Sequence, residues 1–183
     1  MTRIAIFASG SGSNAENIIR YFSDNESVKV VLVLSNNSSS GVLIRAKMHN
    51  IPTFIFTKND LNQCSKVLDT LKYFNASMIV LAGFLLKIPL YMIQAYPNSI
   101  LNIHPSLLPK YKGLNTHKRV ISNKELYSGC TVHYVNSKLD SGKIIIQKKV
   151  KIRKNDTPNS LSKRILIQEH KLYPKAILKI FNL

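Results

Sequence analysis

The feature that most constrains the fold is an alternation of short apolar runs, rich in β-branched residues, with longer segments of helical period. Strands that are apolar on both faces are typical of parallel sheets covered by helices on both sides. The pattern therefore predicts an α/β domain with a mostly parallel central sheet and helices on both faces. The predicted strands are residues 3–8, 29–35, 52–56, 78–83 and 99–104, and the predicted helices are residues 14–23, 41–50, 60–74 and 88–96.

The pattern changes after residue 128. Two further predicted strands, 130–136 and 143–152, are separated by a connection too short for a crossover helix, so we expect them to pair antiparallel. A long helix should follow within residues 156–181, because Pro158 directly after a capping residue is typical of a first helical turn. Pro174 lacks a backbone N–H and should kink or split that helix.

Size and composition are those of an ordinary globular protein. The 183 residues, 45% of them apolar, suffice for one domain, which we assign to residues 1–183. No run of 18 apolar residues and no secretion signal is present, so we expect a cytoplasmic protein without membrane contact. Cys64 and Cys130 lie far apart and outside any metal-ligating pattern, which predicts two reduced, buried thiols and no metal site.

The chain is strongly basic, with 26 Lys and Arg against 9 Asp and Glu and a net charge of +17. Such a charge is typical of proteins that bind nucleic acid or another polyanion. Lysine supplies 20 of the 26 cations, and only residues 148–154 form a cluster. We therefore attribute most of the charge to compositional drift and expect no nucleic-acid partner, although either origin would attract a small phosphorylated substrate.

A glycine-rich turn, SGSGSN at 9–14, joins the first predicted strand to the first predicted helix. Its glycines permit a tight turn, and the N–H groups of Gly12, Ser13 and Asn14 at a helix N-terminus suit a phosphate. The spacing of small residues also matches G-x-G-x-x-A, a dinucleotide pattern. The second strand ends without the acidic residue that binds ribose in such sites, so a monophosphate is favoured. A turn without a ligand is the alternative.

Asn102 and His104 lie two residues apart at the end of the fifth predicted strand, so both side chains face the same way at the carboxyl edge of the sheet. An amide N–H and a protonated imidazole are both donors, and two donors aimed at one point stabilise the oxyanion of acyl transfer. Because no G-x-S-x-G or neighbouring nucleophile accompanies them, the substrate should bring the nucleophile. Alternatively, both side chains only satisfy backbone groups at the strand end.

Asp140 is one of only five Asp residues and lies in the turn between the two late strands. Asp140 either only forms the turn or is a partner of His104. As a partner, its carboxylate would raise the pKa of His104 and favour the charged imidazole. Glu169 lies within the last predicted helix, where it either faces solvent or contacts ribose hydroxyls.

Several segments together resemble phosphoribosylglycinamide formyltransferase, nearly from end to end. The N-x-HPSLLP segment is typical of the wider formyltransferase superfamily, and the later G-L-x-T-H and QEH segments are specific to this family. The segments are SGSGSN at 9–14, AGF at 82–84, NIHPSLLPKYKGLNTH at 102–117, GCTVHYV at 129–135, LDSG at 139–142, QEH at 168–170 and YP at 173–174.

This resemblance implies a Rossmann-like formyltransferase fold and transfer of a formyl group from the co-substrate 10-formyltetrahydrofolate to the glycinamide amine of phosphoribosylglycinamide, in purine synthesis. It implies phosphate binding in about residues 1–100 and catalysis and folate binding in about residues 101–183, with no metal, in a monomer or homodimer. The residues implied are Asn102, His104 and Asp140 for catalysis, Gly12, Ser13, Asn14 and Glu169 for phosphate and ribose, and Leu85, Leu86, Lys87, Ile88 and Asn102 for folate.

Two departures and three alternatives accompany the resemblance. Leu86 stands where many members have a basic residue, and residues 57–68 lack an arginine that many members use to contact the folate. A formyltetrahydrofolate hydrolase or a methionyl-tRNA formyltransferase would share the catalytic residues, but both usually carry a further domain for which this chain has no residues. A basic nucleotide-binding or RNA-binding module without enzymatic activity is the alternative from another class.

Overall fold

The computed structural model describes residues 1–63 and 65–181, so Cys64, one of the two predicted buried thiols, lies outside the described residues. The chain forms two compact units, Met1–Leu101 and Asn102–Leu183, each described below by itself. The elements are β1 Thr2–Phe7, α1 Ser13–Tyr21, β2 Val28–Ser35, α2 Gly41–Met48, β3 Thr53–Ile55, α3 Lys58–Asn62, α4 Lys66–Tyr73, β4 Met78–Leu81, α5 Leu90–Ala95, β5 Ile100–His104, α6 Thr116–Ser122, β6 Tyr127–Tyr134, β7 Ile144–Lys151 and α7 Pro158–Ile180.

The strands form one sheet of seven in the order β3-β2-β1-β4-β5-β6-β7. β1 pairs in parallel with β2 and with β4, and β2 pairs in parallel with β3. β6 and β7 pair antiparallel, with Tyr127 opposite Lys151 and Thr131 opposite Gln147. The predicted α/β fold, mostly parallel with an antiparallel C-terminal strand pair and flanking helices, is confirmed.

The core of the first unit lies along β1, β2 and β4. All four residues of β4 are buried, as are the last four of β1, which agrees with their continuous apolar sequence. The rings of Phe56 and Phe84 each contact the ring of Phe7 edge-on, with centroids 5.7 and 5.4 Å apart. Phe7 and Phe56 are buried and contribute about 1.5–3 kcal/mol each, so these strands hold the loops at their carboxyl ends on a rigid base.

The second unit contains α7, the longest helix. Thr157 and Ser160 form a capping box at its N-terminus, with Pro158 in the first turn, as the sequence predicts. The helix continues through Pro174, so the predicted split does not occur. Pro174 removes one backbone hydrogen bond, but its neighbours Tyr173 and Ile177 are both fully buried and hold this part of the helix in place.

Two other helical regions differ from the prediction. The predicted helix at 60–74 is two helices, α3 and α4, and a capping box of Thr57 and Asp60 starts α3 earlier than predicted. Helix α6 was not predicted; it begins after Asn115, a left-handed residue with φ 56°. Within residues 1–63 and 65–181, no helix has the length and apolar character needed to cross a membrane.

Candidate active site

Asn102 and His104 lie at the C-terminal end of β5, and both side chains contact Asp140. Nδ2 of Asn102 lies 3.4 Å from Oδ1 of Asp140, and Nδ1 of His104 lies 3.4 Å from Oδ2. His104 and Asp140 are 6% and 8% exposed, so these polar groups meet in a largely desolvated place. The structure thus brings together the three residues that the sequence predicted for catalysis, and they are called the candidate cluster below.

Asp140 is held in its orientation by the backbone around it. Its own φ of 45° is left-handed, and a Cβ on Gly142 would lie 1.7 Å from the carbonyl oxygen of Tyr134, so this turn requires glycine at that position. The N–H of Gly113 donates to Oδ2 of Asp140 at 2.8 Å. Burial raises the pKa of Asp140, but the hydrogen bond from Gly113 and the positive charges that His104 and His133 carry when protonated outweigh it, and the pKa lies below its usual range.

His104 has an oxygen near each ring nitrogen. Nε2 lies 2.8 Å from the carbonyl oxygen of Tyr111, and Nδ1 faces Asp140. Burial lowers the pKa of His104 more than the Tyr111 hydrogen bond and the Asp140 charge raise it, so the pKa lies below the usual 6.5. Asp140 acts in the expected direction, but the expectation that it keeps His104 charged is wrong for the free protein near neutral pH.

His133 also lies in this site, although it is not among the residues that the sequence predicted for catalysis or binding. It is 2% exposed, and its Nε2 lies 3.2 Å from Nδ2 of Asn102 and 3.7 Å from Oδ1 of Asp140. The sequence does contain a signal, because a histidine two residues from Thr131 on one strand shares its buried face. What the sequence lacks is the pairing of β6 with β5 that brings His133 to Asn102.

The loop that follows His104 is held by side chains from β6 and β7. The Thr131 hydroxyl donates to the carbonyl oxygen of Ser106 at 2.6 Å and accepts from the N–H of Leu108 at 3.1 Å. Nε2 of Gln147 reaches the same hydroxyl at 2.8 Å and the carbonyl oxygen of Leu108 at 2.9 Å. These bonds fix the chain between His104 and Tyr111, whose carbonyl oxygen accepts from His104.

In the first unit, the predicted phosphate-binding turn lies between β1 and α1. Gly12 has φ 79°, and a Cβ added to it would lie 2.5 Å from the Cβ of Val42. Both the backbone conformation and the lack of space for a side chain therefore require glycine at this position. α1 begins at Ser13, where the first N–H groups of a helix lack intrahelical acceptors. Asn14 is buried, with 8% of its surface exposed. This geometry suits an anion; phosphate binding by Gly12, Ser13 and Asn14 stays a prediction.

The predicted folate-binding segment is also in the first unit. Leu85 is 70% exposed and its N–H donates to Oγ of Ser9 at 3.0 Å, while Ile88 is buried. Leu86 is half-buried and Lys87 is exposed. The segment therefore presents an exposed leucine on a backbone fixed to the turn after β1, an arrangement that fits an apolar ring system.

Glu169 lies on α7 in the second unit and is 8% exposed, so it does not face solvent as one interpretation of the sequence held. Burial raises the pKa of Cys130 to about 12, with the charge of Glu169 adding to the effect, so Cys130 is a buried thiol as predicted. Among the described residues, no group of three or more His, Cys, Asp or Glu side chains could hold a metal ion.

Comparison with known proteins assigns this arrangement to a class. The model of the formyl transferase family matches residues 2–177. The chain therefore belongs to the formyl transferase family, and the resemblance noted in the sequence is confirmed.

Within that family, the similar proteins include phosphoribosylglycinamide formyltransferases. The chloroplastic enzyme of Arabidopsis thaliana is 38% identical over 96% of this chain, which spans 64% of that relative's length. The Haemophilus influenzae enzyme is 38% identical over 97% of this chain and 86% of its own length. The crystal structure of the Anaplasma phagocytophilum enzyme superposes with a TM-score of 0.91 at 38% identity, covering 96% of this chain and 85% of that one.

Proposed function

We propose that this protein transfers the formyl group of 10-formyltetrahydrofolate to the glycinamide amine of phosphoribosylglycinamide. The observation that carries the proposal is the buried meeting of Asn102, His104 and Asp140, three groups suited to acyl transfer, in a chain whose relatives are named for this reaction. The formyl donor is a co-substrate that supplies the one-carbon group.

Asn102 and His104 are the donors for the negative charge that develops on the formyl oxygen. The Nδ2 atom of Asn102 already faces Asp140, at 3.4 Å, and a stronger acceptor can take over one of its N–H groups. Nε2 of His104 carries a proton in this arrangement, since the Tyr111 carbonyl oxygen that it meets at 2.8 Å only accepts. A substrate oxygen that receives this N–H must replace the Tyr111 carbonyl.

The lowered pKa of His104 suits it to take up a proton. The attacking amine loses one as its nitrogen bonds to the formyl carbon, and His104, mostly neutral near pH 7, can accept it at Nδ1 beside the Asp140 carboxylate. The doubly protonated ring then donates from Nε2 to the oxyanion. When the bond from the formyl carbon to the folate nitrogen breaks, the same proton passes to that nitrogen, which returns His104 to its starting state.

We assign the remaining substrate contacts to the residues that the sequence predicted for them. The N–H groups of Gly12 and Ser13, with Asn14, suit the phosphate. Glu169, buried on α7, suits ribose hydroxyls, to which its carboxylate is an acceptor. For the folate, the segment Leu85, Leu86, Lys87 and Ile88 supplies backbone groups and apolar surface, and Asn102 lies at the formyl group.

The decisive experiment incubates the purified protein with 10-formyltetrahydrofolate, with and without phosphoribosylglycinamide. Consumption of the donor should require the acceptor, and mass spectrometry should detect one formyl group on the glycinamide product. Equal consumption without the acceptor would identify a hydrolase, and formylation of charged methionyl-tRNA in its place would identify the tRNA enzyme. Salt-sensitive RNA binding without any formyl transfer would favour the non-enzymatic alternative.

Location and assembly belong to the same proposal. A cytoplasmic protein, acting on small molecules without a nucleic-acid partner as a monomer or homodimer, fits this activity. The Arabidopsis relative is described as chloroplastic, so fractionation of the native cells is the measurement that decides the location.

A further inference from the structure

In the first unit, Arg45 on α2 reaches across to the glycine-rich turn after β1. Its Nε donates to the carbonyl oxygen of Ser11 at 2.8 Å, and its guanidinium also pairs with the carboxylate of Glu16 on α1. One side chain thus contacts both the turn and the first helix that it opens. None of the motifs discussed so far includes Arg45.

The carbonyl of Gly10, next to that of Ser11, is also held by α2. The N–H of Val42, at the start of α2, donates to the carbonyl oxygen of Gly10 at 3.2 Å. Gly41 lies so close to the turn that a Cβ there would be 3.1 Å from the Ser11 carbonyl oxygen. Two successive carbonyl groups, those of Gly10 and Ser11, are therefore both anchored on α2.

Anchoring the carbonyls sets the direction of two N–H groups. In a trans peptide the C=O and the following N–H point in opposite directions, so the N–H groups of Ser11 and Gly12 point away from α2. Neither donates a hydrogen bond to any of the described residues. Successive backbone N–H groups directed to one side make a concave site for an anion.

The pairing with Glu16 has a second effect at the same turn. Glu16 lies in the first turn of α1, and an unpaired carboxylate there would repel a nearby phosphate. The side chains of Arg45 and Glu16 are 37% and 22% exposed, so their interaction is partly shielded from water. Arg45 thus offsets the negative charge of Glu16, in the first turn of the helix that opens at the predicted phosphate site.

We propose that Arg45 is a positioning residue for the substrate phosphate. It acts through the Ser11–Gly12 peptide, whose carbonyl it holds so that the N–H groups of Ser11 and Gly12 meet the phosphate. This inference rests on the proposed function, because it takes the turn as the site of the phosphate of phosphoribosylglycinamide. It adds a residue from α2 that the sequence motif does not contain.

The first test is Arg45→Gln, with Lys47→Gln as the matched control. Lys47 is an exposed cation on the same helix, so its loss removes the same charge without touching the turn. Arg45→Gln should raise KM for phosphoribosylglycinamide about tenfold, because it removes the charged hydrogen bond that holds the Ser11 carbonyl. The kcat and the folate KM should stay within about twofold of the unchanged protein, because this hydrogen bond affects only the phosphate site. Lys47→Gln should change none of these values.

Binding of inorganic phosphate, measured by calorimetry on the same variants, separates this inference from the proposed function. Weaker phosphate binding by Arg45→Gln than by Lys47→Gln supports it even if no formyl transfer is found. Equal phosphate binding and equal KM in the two variants would overturn it, while leaving formyl transfer intact.

A third variant, Glu16→Gln, guards against a folding defect in Arg45→Gln. It removes the ion pair but keeps the hydrogen bond from Arg45 to Ser11, so phosphate binding should be unchanged or stronger. A loss as large as that expected for Arg45→Gln would contradict the role of the Ser11 carbonyl.

Discussion

The side-chain nitrogen of Asn102 lies 3.2 Å from Nε2 of His133, whose Nδ1 lies 2.8 Å from the carbonyl oxygen of Tyr134. Since a carbonyl oxygen only accepts, His133 donates from Nδ1 and accepts at Nε2. The amide of Asn102 is therefore held with its NH2 group facing His133 and Asp140. His133 thus orients the group that we propose as an oxyanion donor.

Replacing His133 with Phe should lower kcat roughly a hundredfold, because the Asn102 amide then loses the closer of the two acceptors that orient it. KM for phosphoribosylglycinamide should change little, since the residues that we propose for the phosphate are Gly12, Ser13 and Asn14. Steady-state kinetics with both substrates varied measures the two constants.

His133→Gln is the matched control for this prediction. Its amide oxygen can accept from Asn102, so it should retain more activity than His133→Phe. Equal losses in the two variants would mean that packing, and not the hydrogen bond, explains the effect.

Asp140→Asn should lower kcat by about 100 to 1,000-fold. The amide cannot stabilise a protonated His104 as a carboxylate does, although it can still accept from the N–H of Gly113. Asp69→Asn, at an exposed position on α4, controls for the loss of one negative charge and should leave kcat unchanged. An Asp140→Asn protein with normal turnover would remove Asp140 from the mechanism.

Thr131→Val tests the bonds that hold the loop after His104. Valine has the same shape but leaves the Ser106 carbonyl and the Leu108 N–H without the hydroxyl, in a fully buried place. The free energy of unfolding should fall by about 1–3 kcal/mol, measured by urea denaturation. Thr53→Val, exposed on β3, should change it by less than about 0.5 kcal/mol. Similar values for both variants would show that these hydrogen bonds add no stability.

The histidines predict how stability depends on pH. Burial lowers the pKa of His104, and burial and the charge of His104 lower that of His117, from an ordinary 6.5. As the pH falls, the unfolded chain therefore takes up protons on these two histidines before the folded chain does. The contribution of the two histidines to stability is complete above pH 6.5 and is lost as the pH falls through their pKa values in the folded protein. Tm should therefore be lower at about pH 5.5 than at about pH 7.5.

His117→Gln isolates this effect from the general repulsion in a basic protein, and it should reduce the Tm difference between the two pH values. The carboxylates with lowered pKa, Asp60, Glu125, Asp140 and Asp156, have ordinary values of 3.8 for Asp and 4.5 for Glu and act below this window. An unchanged Tm difference in His117→Gln would rule out a contribution from that residue.

The sequence predicted those parts of the fold that depend on local pattern. Continuous apolar runs identified the buried strands, and the short connection before Ile144 identified the antiparallel pair β6 and β7. Helix α6 was missed because it starts after a left-handed Asn115, whose conformation the sequence does not encode strongly. Pro174 was expected to divide α7, but the burial of its neighbours outweighs one lost hydrogen bond.

The candidate cluster was predictable as a set of residue types, and less so as a geometry. The spacing of Asn102 and His104 placed them on one face of a strand, and Asp140 lies near both. The contact of His133 with Asn102 depends on pairing between distant strands, which no local pattern specifies. The lowered pKa of His104 depends on burial by the whole unit, so charge pairing alone predicted the wrong direction.

Gly12→Ala tests the turn that we expect to bind the phosphate. Alanine is strained at φ 79°, and its Cβ would lie 2.5 Å from that of Val42 on α2, so the two elements must separate. We expect unfolding to become easier by about 1–3 kcal/mol, and KM for phosphoribosylglycinamide to rise with little change in the folate KM. Gly10→Ala is the control for stability, since a Cβ at Gly10 meets nothing within 4 Å. If the two variants unfold at the same urea concentration and Gly12→Ala binds the phosphorylated substrate normally, the close contact between this turn and α2 is not required for stability or for phosphate binding.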